Sequence, residues 1–138
     1  MLRDKIRIRH LPVDGAESDE RRLFSPKGEL AQIVNGSMTI KHLVYWDLDS
    51  PKSGQTRGDH YHHIKNEECY ILTGELDITI CDRGTMEQAI LPATAGDRIT
   101  IEAGVAHSYR SRSYAQVLEL LPTPYDATDT VPFKLKTL

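Results

Sequence analysis

Basic charge is in deficit along this sequence. Its 138 residues carry 17 Lys and Arg against 20 Asp and Glu, a formal net charge of −3. No positive field is available to hold nucleic acid. No apolar run approaches the roughly 18–20 residues that span a bilayer. The opening MLRDKIRIRH is charged and has no apolar centre of the kind a secretion signal needs. Cysteine is scarce: Cys69 and Cys81 are the only two. They are not spaced as a zinc knuckle and are too few for a disulfide framework, so both are expected to be reduced. Aromatic residues make up 7% of the chain, with Trp46 the single tryptophan. No window shows a sustained helical stripe with caps. These absences leave a soluble, cytoplasmic protein of one domain (1–138) whose partner is a small molecule, with no nucleic acid and no membrane.

The period that does run along the chain is two. Lys5 to Arg9, Thr39 to Leu43 (running on into Val44-Tyr45-Trp46), Leu76 to Ile80 and Arg98 to Ile101 each alternate apolar with polar residues. Each reads as a half-buried strand. Asn35-Gly36, Ser50-Pro51, Thr73-Gly74, Arg83-Gly84, Ala95-Gly96 and Ala103-Gly104 mark turns between them. Many short strands at such spacing predict an all-β sandwich or barrel. Pro12 to Glu20 is acidic and poor in apolar residues, and Glu17 to Glu20 is expected to be a solvated loop. The tail from Pro122 holds three prolines in PTPYDATDTVPF and is expected to wrap the outside as an extended segment.

One stretch carries chemistry. GDHYHHIKNEECYILTG, Gly58 to Gly74, places three of the six histidines within four residues and follows them with Glu67. On a strand, residues i and i+2 share a face, so His60 and His62 point one way while Tyr61 and His63 point the other. Four residues intervene before Glu67, enough for a tight turn into a second strand. Crowded imidazoles repel when protonated, but neutral ones donate lone pairs to a bound cation. Imidazole and carboxylate ligands suit iron, manganese, nickel or zinc. His107, in AGDRITIEAGVAHSY, leads a separate strand and is the candidate for a third imidazole.

The spacing Gly58-x-His60-x-His62-x4-Glu67-x6-Gly74 resembles the first motif of the cupin family, and Gly96-x7-Gly104-x2-His107 resembles its second. Glu102 stands where the second motif usually has proline, and Ser111 where it usually closes on asparagine. The resemblance implies a double-stranded β-helix, the cupin jelly-roll barrel, with a core over about 38–121. A strand and loop (1–37) would precede it and the extended tail (122–138) would follow. It implies one divalent transition metal ion at His60, His62, Glu67 and His107, and a homodimer. The dimer would also cover the edge left by the strand Lys5 to Arg9. A second likeness runs upstream: SPKGELAQI, IKHLVYWDL and RGDHYH are similar to sugar-nucleotide epimerase and capsule-biosynthesis cupins. In the dTDP-sugar epimerases the histidine after Arg-Gly-x acts as a metal-free base, a role that would fall on His60. Members of that group typically lack the second histidine and the glutamate, both of which this chain keeps.

Around this set, Glu68 would replace Glu67 only if the register slipped by one residue. Cys69 shares the face of Glu67 and should point into the barrel as a small hydrophobe. Tyr109 shares the face of His107 and is the candidate for proton transfer beside the metal. Arg57, Tyr45 and Cys69 are candidates for lining a substrate pocket, Arg57 against phosphate or carboxylate. Trp46 should lie opposite Tyr45, in packing or an interface. His10 and His42 are given no role. The function expected is a metal-dependent isomerase or epimerase acting on a carbohydrate or organic acid. The alternatives are an iron-dependent dioxygenase, a non-catalytic ligand-binding module, and a metal-free sugar-nucleotide epimerase with His60 as base. The cupin fold alone does not choose among them.

Overall fold

The two-residue period is realised as twelve strands in a computed structural model, which describes residues 1–136. In chain order they are β1 (Ile6–His10), β2 (Arg21–Ser25), β3 (Gly28–Gln32), β4 (His42–Leu48), β5 (Arg57–Tyr61), β6 (Glu67–Thr73), β7 (Glu75–Cys81), β8 (Gln88–Thr94), β9 (Asp97–Ile101), β10 (Ala106–Ser111), β11 (Ala115–Leu121) and β12 (Val131–Pro132). One helical turn, α1 (Ser50–Ser53), follows β4, capped by the Asp49 side chain on the amide of Lys52. Among the described residues, no helix is long and apolar enough to cross a membrane.

Two antiparallel five-stranded sheets form the barrel, in the orders β1-β9-β6-β11-β4 and β12-β5-β10-β7-β8. This is the double-stranded β-helix of the cupins. Their inner faces share one core that includes Ile99 and Ile101 from the first sheet and Leu76, Ile78 and Ile80 from the second. These five side chains are fully buried, each worth about 1.5–3 kcal/mol of transfer free energy. Strand β1 belongs to the barrel itself, paired along β9 from Ile6↔Ile101 to His10↔Asp97.

The hairpin β2–β3 was not visible in the sequence because its strands hold only half-buried and exposed residues and show no clean alternation. Residues from its end onward, among them Ala31, Ile33 and Met38, cover Leu11, Tyr70 and Leu120 on the outer face of the first sheet. Glu20 corrects the expectation of a solvated acidic loop. Its side chain is only 9% exposed and pairs with Arg9 and Arg98. Burial pushes its carboxyl up, but Ser37, the Asn35 amide, Arg9 and Arg98 outweigh this and bring it down to about 2.

Two glycines are required by close approach. A Cβ at Gly74 would lie 2.2 Å from the Tyr114 carbonyl oxygen, and its φ is +89°. At Gly58, φ is +86° and a Cβ would meet the His107 carbonyl oxygen at 2.9 Å. Gly58 brings β5 against β10 beside a register shift: His107 pairs with His60, but Ser108 pairs with Gly58 and Tyr109 with Arg57. Asp59, at φ 56°, is the extra residue. Such a bulge re-aims the side chains before it.

The tail returns to the barrel. A 3-10 turn at Ala127–Asp129 leads into β12, which pairs Val131↔Tyr61 and Pro132↔His60 on β5.

Candidate metal centre

Three elements meet at one point inside the barrel. His60 comes from β5, His62 from the chain just after it, Glu67 opens β6, and His107 lies on β10 directly across from His60. One potential ligand atom from each side chain lies within 4.8 Å of all the others. His62, Glu67 and His107 are 4% exposed or less, and His60 is half-buried. Approach to the cluster is therefore past His60. Glu68 points outward instead, accepting from the Thr100 hydroxyl at 2.9 Å. His63 also points away, edge-on to Tyr61.

Hydrogen bonds set the imidazole tautomers. Nδ1 of His107 lies 3.0 Å from the Val105 carbonyl oxygen, and Nδ1 of His62 lies 2.9 Å from that of Asp129. A carbonyl oxygen only accepts, so each Nδ1 carries the proton. In the neutral rings each Nε2 then presents a lone pair. Both aim at Oε2 of Glu67, at 2.8 Å from His62 and 3.5 Å from His107. Burial pushes the Glu67 carboxyl up, but hydrogen bonds and charge from His107 and His62 as imidazolium rings outweigh it and hold the group well below the usual carboxylate range; with both rings neutral, a bound cation would have to supply that positive charge. Burial, then the neighbouring His107, pulls His60 down to about 4, which leaves it neutral at pH 7. Nε2 of His107 is buried with no hydrogen-bond partner. Lone pairs facing an anionic carboxylate are repulsive unless a cation stands between them or one ring takes up a proton and donates to Glu67. Protonating both rings would instead place two imidazolium ions with centroids 5.7 Å apart. The donor set of neutral imidazoles and one ionised carboxylate therefore fits a divalent transition metal.

The surrounding side chains divide by face. Cys69 and Tyr109 are both buried inside the barrel, Sγ 3.9 Å from the phenol oxygen. Burial raises both groups, so both stay protonated. The Tyr109 ring rests against His107 and Trp46, with centroids at 5.7 and 5.3 Å. One expectation for β4 is corrected, that for Tyr45, while Trp46 packs on the opposite face as expected. Trp46 pairs with the inward Val117 and is buried, whereas Tyr45 stands on the outer face, 52% exposed. The Tyr45 phenol accepts from Gln116 at 2.9 Å and lines no interior pocket. Arg57, opposite Tyr109 because of the bulge, lays its guanidinium over the Trp46 ring at 5.5 Å and remains exposed at the rim. His10, given no role, pairs with Asp97 at 2.5 Å.

Sequence reasoning missed two residues. Glu119 lies on β11 opposite Cys69 and accepts from Nε1 of Trp46 at 3.0 Å. Burial, then the charge of Glu67 and a hydrogen bond to it, push its carboxyl up to about 7. One acid among Ala115, Val117 and Leu121 on the odd-numbered face was the available signal. Asp129, whose carbonyl holds His62, left none in the tail. A cavity of about 1140 Å³ lies elsewhere, outside the first sheet between Arg98, Thr100 and the tail at Pro122 to Asp126.

The sequence from 49 to 121, more than half of the chain, matches the cupin domain family. The chain belongs to that family. No curated protein matches it significantly. Among solved structures it is similar to the QdtA 3,4-ketoisomerase of Thermoanaerobacterium thermosaccharolyticum, solved in complex with TDP. The TM-score is 0.72 at 19% identity, over 92% of this chain and 86% of that one. It is similar to the WlaRB TDP-quinovose 3,4-ketoisomerase of Campylobacter jejuni, with TM-score 0.70 at 19% identity over 91% of each chain. It also resembles the capsular polysaccharide assembling protein CapF of Staphylococcus aureus, with TM-score 0.59 at 18% identity over 71% of this chain and 29% of that one. Identities this low speak for the fold alone.

Proposed function

We propose that this protein is a metal-dependent isomerase of a keto sugar carried on a nucleotide, with His60, His62, Glu67 and His107 holding one divalent ion. The observation that carries the metal is the gathering of four ligand atoms within 4.8 Å of one another, with Nδ1 of His62 and of His107 each committed to a carbonyl and Nε2 turned toward Glu67. A divalent ion held there supplies Lewis-acid polarisation of a substrate oxygen. Isomerisation of a hydroxy ketone also needs a group that takes a proton from one carbon and returns it to its neighbour. Glu119 suits this, because its carboxyl is poised near neutrality on the inner face. Positive charge in the cluster would favour its ionised form and make it the base. Tyr109, protonated and edge-on to His107, is the second proton-bearing group on that wall. Arg57, exposed at the rim over Trp46, would meet the diphosphate. The likeness in fold to sugar 3,4-ketoisomerases supports the substrate class. A homodimer remains part of this proposal.

The test is to incubate the metal-loaded protein with TDP-4-keto-6-deoxyglucose and follow migration of the keto group by NMR. Product that forms with metal and disappears with chelator supports the reading. Absence of product in every metal form would sink it.

One observation favours a second reading. His60 is the half-exposed member of the cluster and is neutral down to about pH 4, as a metal-free base would need to be. That reading expects the same conversion to survive chelation.

A further inference from the structure

We propose that Asp129 is a positioning residue that locks the His62 ring for metal binding, an inference resting on the metal reading above. His62 and Glu67 are separated by a turn with no regular structure, so something other than a strand ladder must aim the ring. Asp129 grips that turn at both ends. Its carbonyl accepts from Nδ1 of His62 at 2.9 Å. Its carboxylate accepts from the amides of Ile64 at 2.8 Å and Lys65 at 3.0 Å. The residue is only 5% exposed although it lies in the tail. The pairing of Val131 with Tyr61 and Pro132 with His60 anchors the segment just beyond it. Thr130 Oγ1 stands 3.4 Å from the same Nδ1, too far to replace the carbonyl fully.

The bond does two things. It keeps the proton on Nδ1, so the lone pair stays on Nε2, and it fixes the ring plane toward Glu67. The backbone of His62 is held separately, because its carbonyl accepts from the Gly104 amide. Loss of the Asp129 carboxylate should therefore free residue 129 and the His62 ring while leaving the strand path in place. Asp126 is the matched control. Its carboxylate caps the amide and hydroxyl of Thr128 in the same tail and does not touch the turn.

Two measurements test this. Long-range 15N–1H correlation of the metal-free protein reports the His62 tautomer without reference to any ion. Cobalt(II) affinity, by competition with a chelator, reports the ligand set. Expected are an Nδ1–H tautomer in the wild type, a mixed tautomer in Asp129→Ala, and a loss of about 10–100-fold in cobalt affinity. Asp126→Ala should match the wild type in both. Asp129→Asn keeps one acceptor and should fall between, and it decides the matter if the alanine variant does not fold. A wild-type Nε2–H tautomer overturns the proposal, as does an unchanged tautomer with unchanged affinity in folded Asp129 variants. A tautomer shift in a protein that never binds cobalt upholds the positioning role and removes the metal reading instead.

Discussion

Nε2 of His107 faces Oε2 of Glu67 at 3.5 Å, while Nδ1 of the same ring is already committed to the Val105 carbonyl. Both atoms of this pair are acceptors in the neutral, metal-free site. An unsatisfied buried polar group costs about 1–3 kcal/mol, and a cation relieves it. Plasma mass spectrometry of untagged protein should accordingly find about one divalent ion per chain, lost in both His60→Ala and His107→Ala. Saturating metal should raise the melting temperature. At a hundredfold excess over Kd the gain is about 2.7 kcal/mol. Wild-type protein that stays metal-free after reconstitution would contradict this.

Glu119 gives a pH dependence of defined sign. Its folded-state carboxyl is raised to about 7 from the usual 4.5. The folded metal-free protein then binds more protons than the unfolded chain between those values, so this group removes stability as pH rises through the window. Glu119→Gln should stabilise the metal-free protein above pH 7 and lose that advantage below about pH 4.5. Denaturant melts at pH 4, 6 and 8 would show it. A variant equally stable relative to wild type at all three values would refute the shift.

His60 acts in the opposite direction. Its folded value is lowered from 6.5 to about 4. Between these values the unfolded chain binds more protons, so the metal-free protein should lose stability as pH falls from 6.5 to 4. His60→Gln should flatten that slope. Histidine NMR titration checks the value directly, and a midpoint near 6.5 in the folded protein would rule it out.

Arg57 at the rim should govern binding more than chemistry. Arg57→Ala is expected to raise KM for a nucleotide sugar by about tenfold or more, the scale of losing one hydrogen bond to a charged group, with kcat largely kept. Tyr45→Ala, on the outer face, should change neither constant. Equal effects of the two substitutions would argue against Arg57 as a ligand contact.

Gly74 should tolerate no side chain. Gly74→Ala places a Cβ 2.2 Å from the Tyr114 carbonyl at a positive φ. A loss of at least about 2 kcal/mol is expected from strain and overpacking together. It would appear in urea melts as a lower midpoint with an unchanged slope.

Much of the fold was legible because the barrel faces water on one side and a core on the other. Ile6-Arg7-Ile8 and Leu76-Asp77-Ile78-Thr79-Ile80 alternate for that reason, and their strands stand where expected. The hairpin β2–β3 was hidden because neither of its strands has a buried residue and so neither shows a core-facing period. For β4 the strand was expected but its inner and outer faces were exchanged. The apolar run Leu43-Val44-Tyr45-Trp46 offers both faces to a core and admits either choice, and the pairing of Trp46 with Val117 on β11 decided it.

The same division holds at the site. Residue types and local spacing alone determined the chemistry on offer: imidazoles at i and i+2, a carboxylate after a turn, and a distant third histidine. Those are properties of short segments, where strand period and turn length are set by the backbone. Only the tertiary structure decided which lone pairs face one another, which acid stands behind them, and what holds the rings. Val105 holds His107 from two residues away, but Glu119 and Asp129 reach Trp46 and His62 from distant parts of the chain. Hydrogen bonds across those separations are made by sheet register and by the returning tail, and no local pattern encodes them.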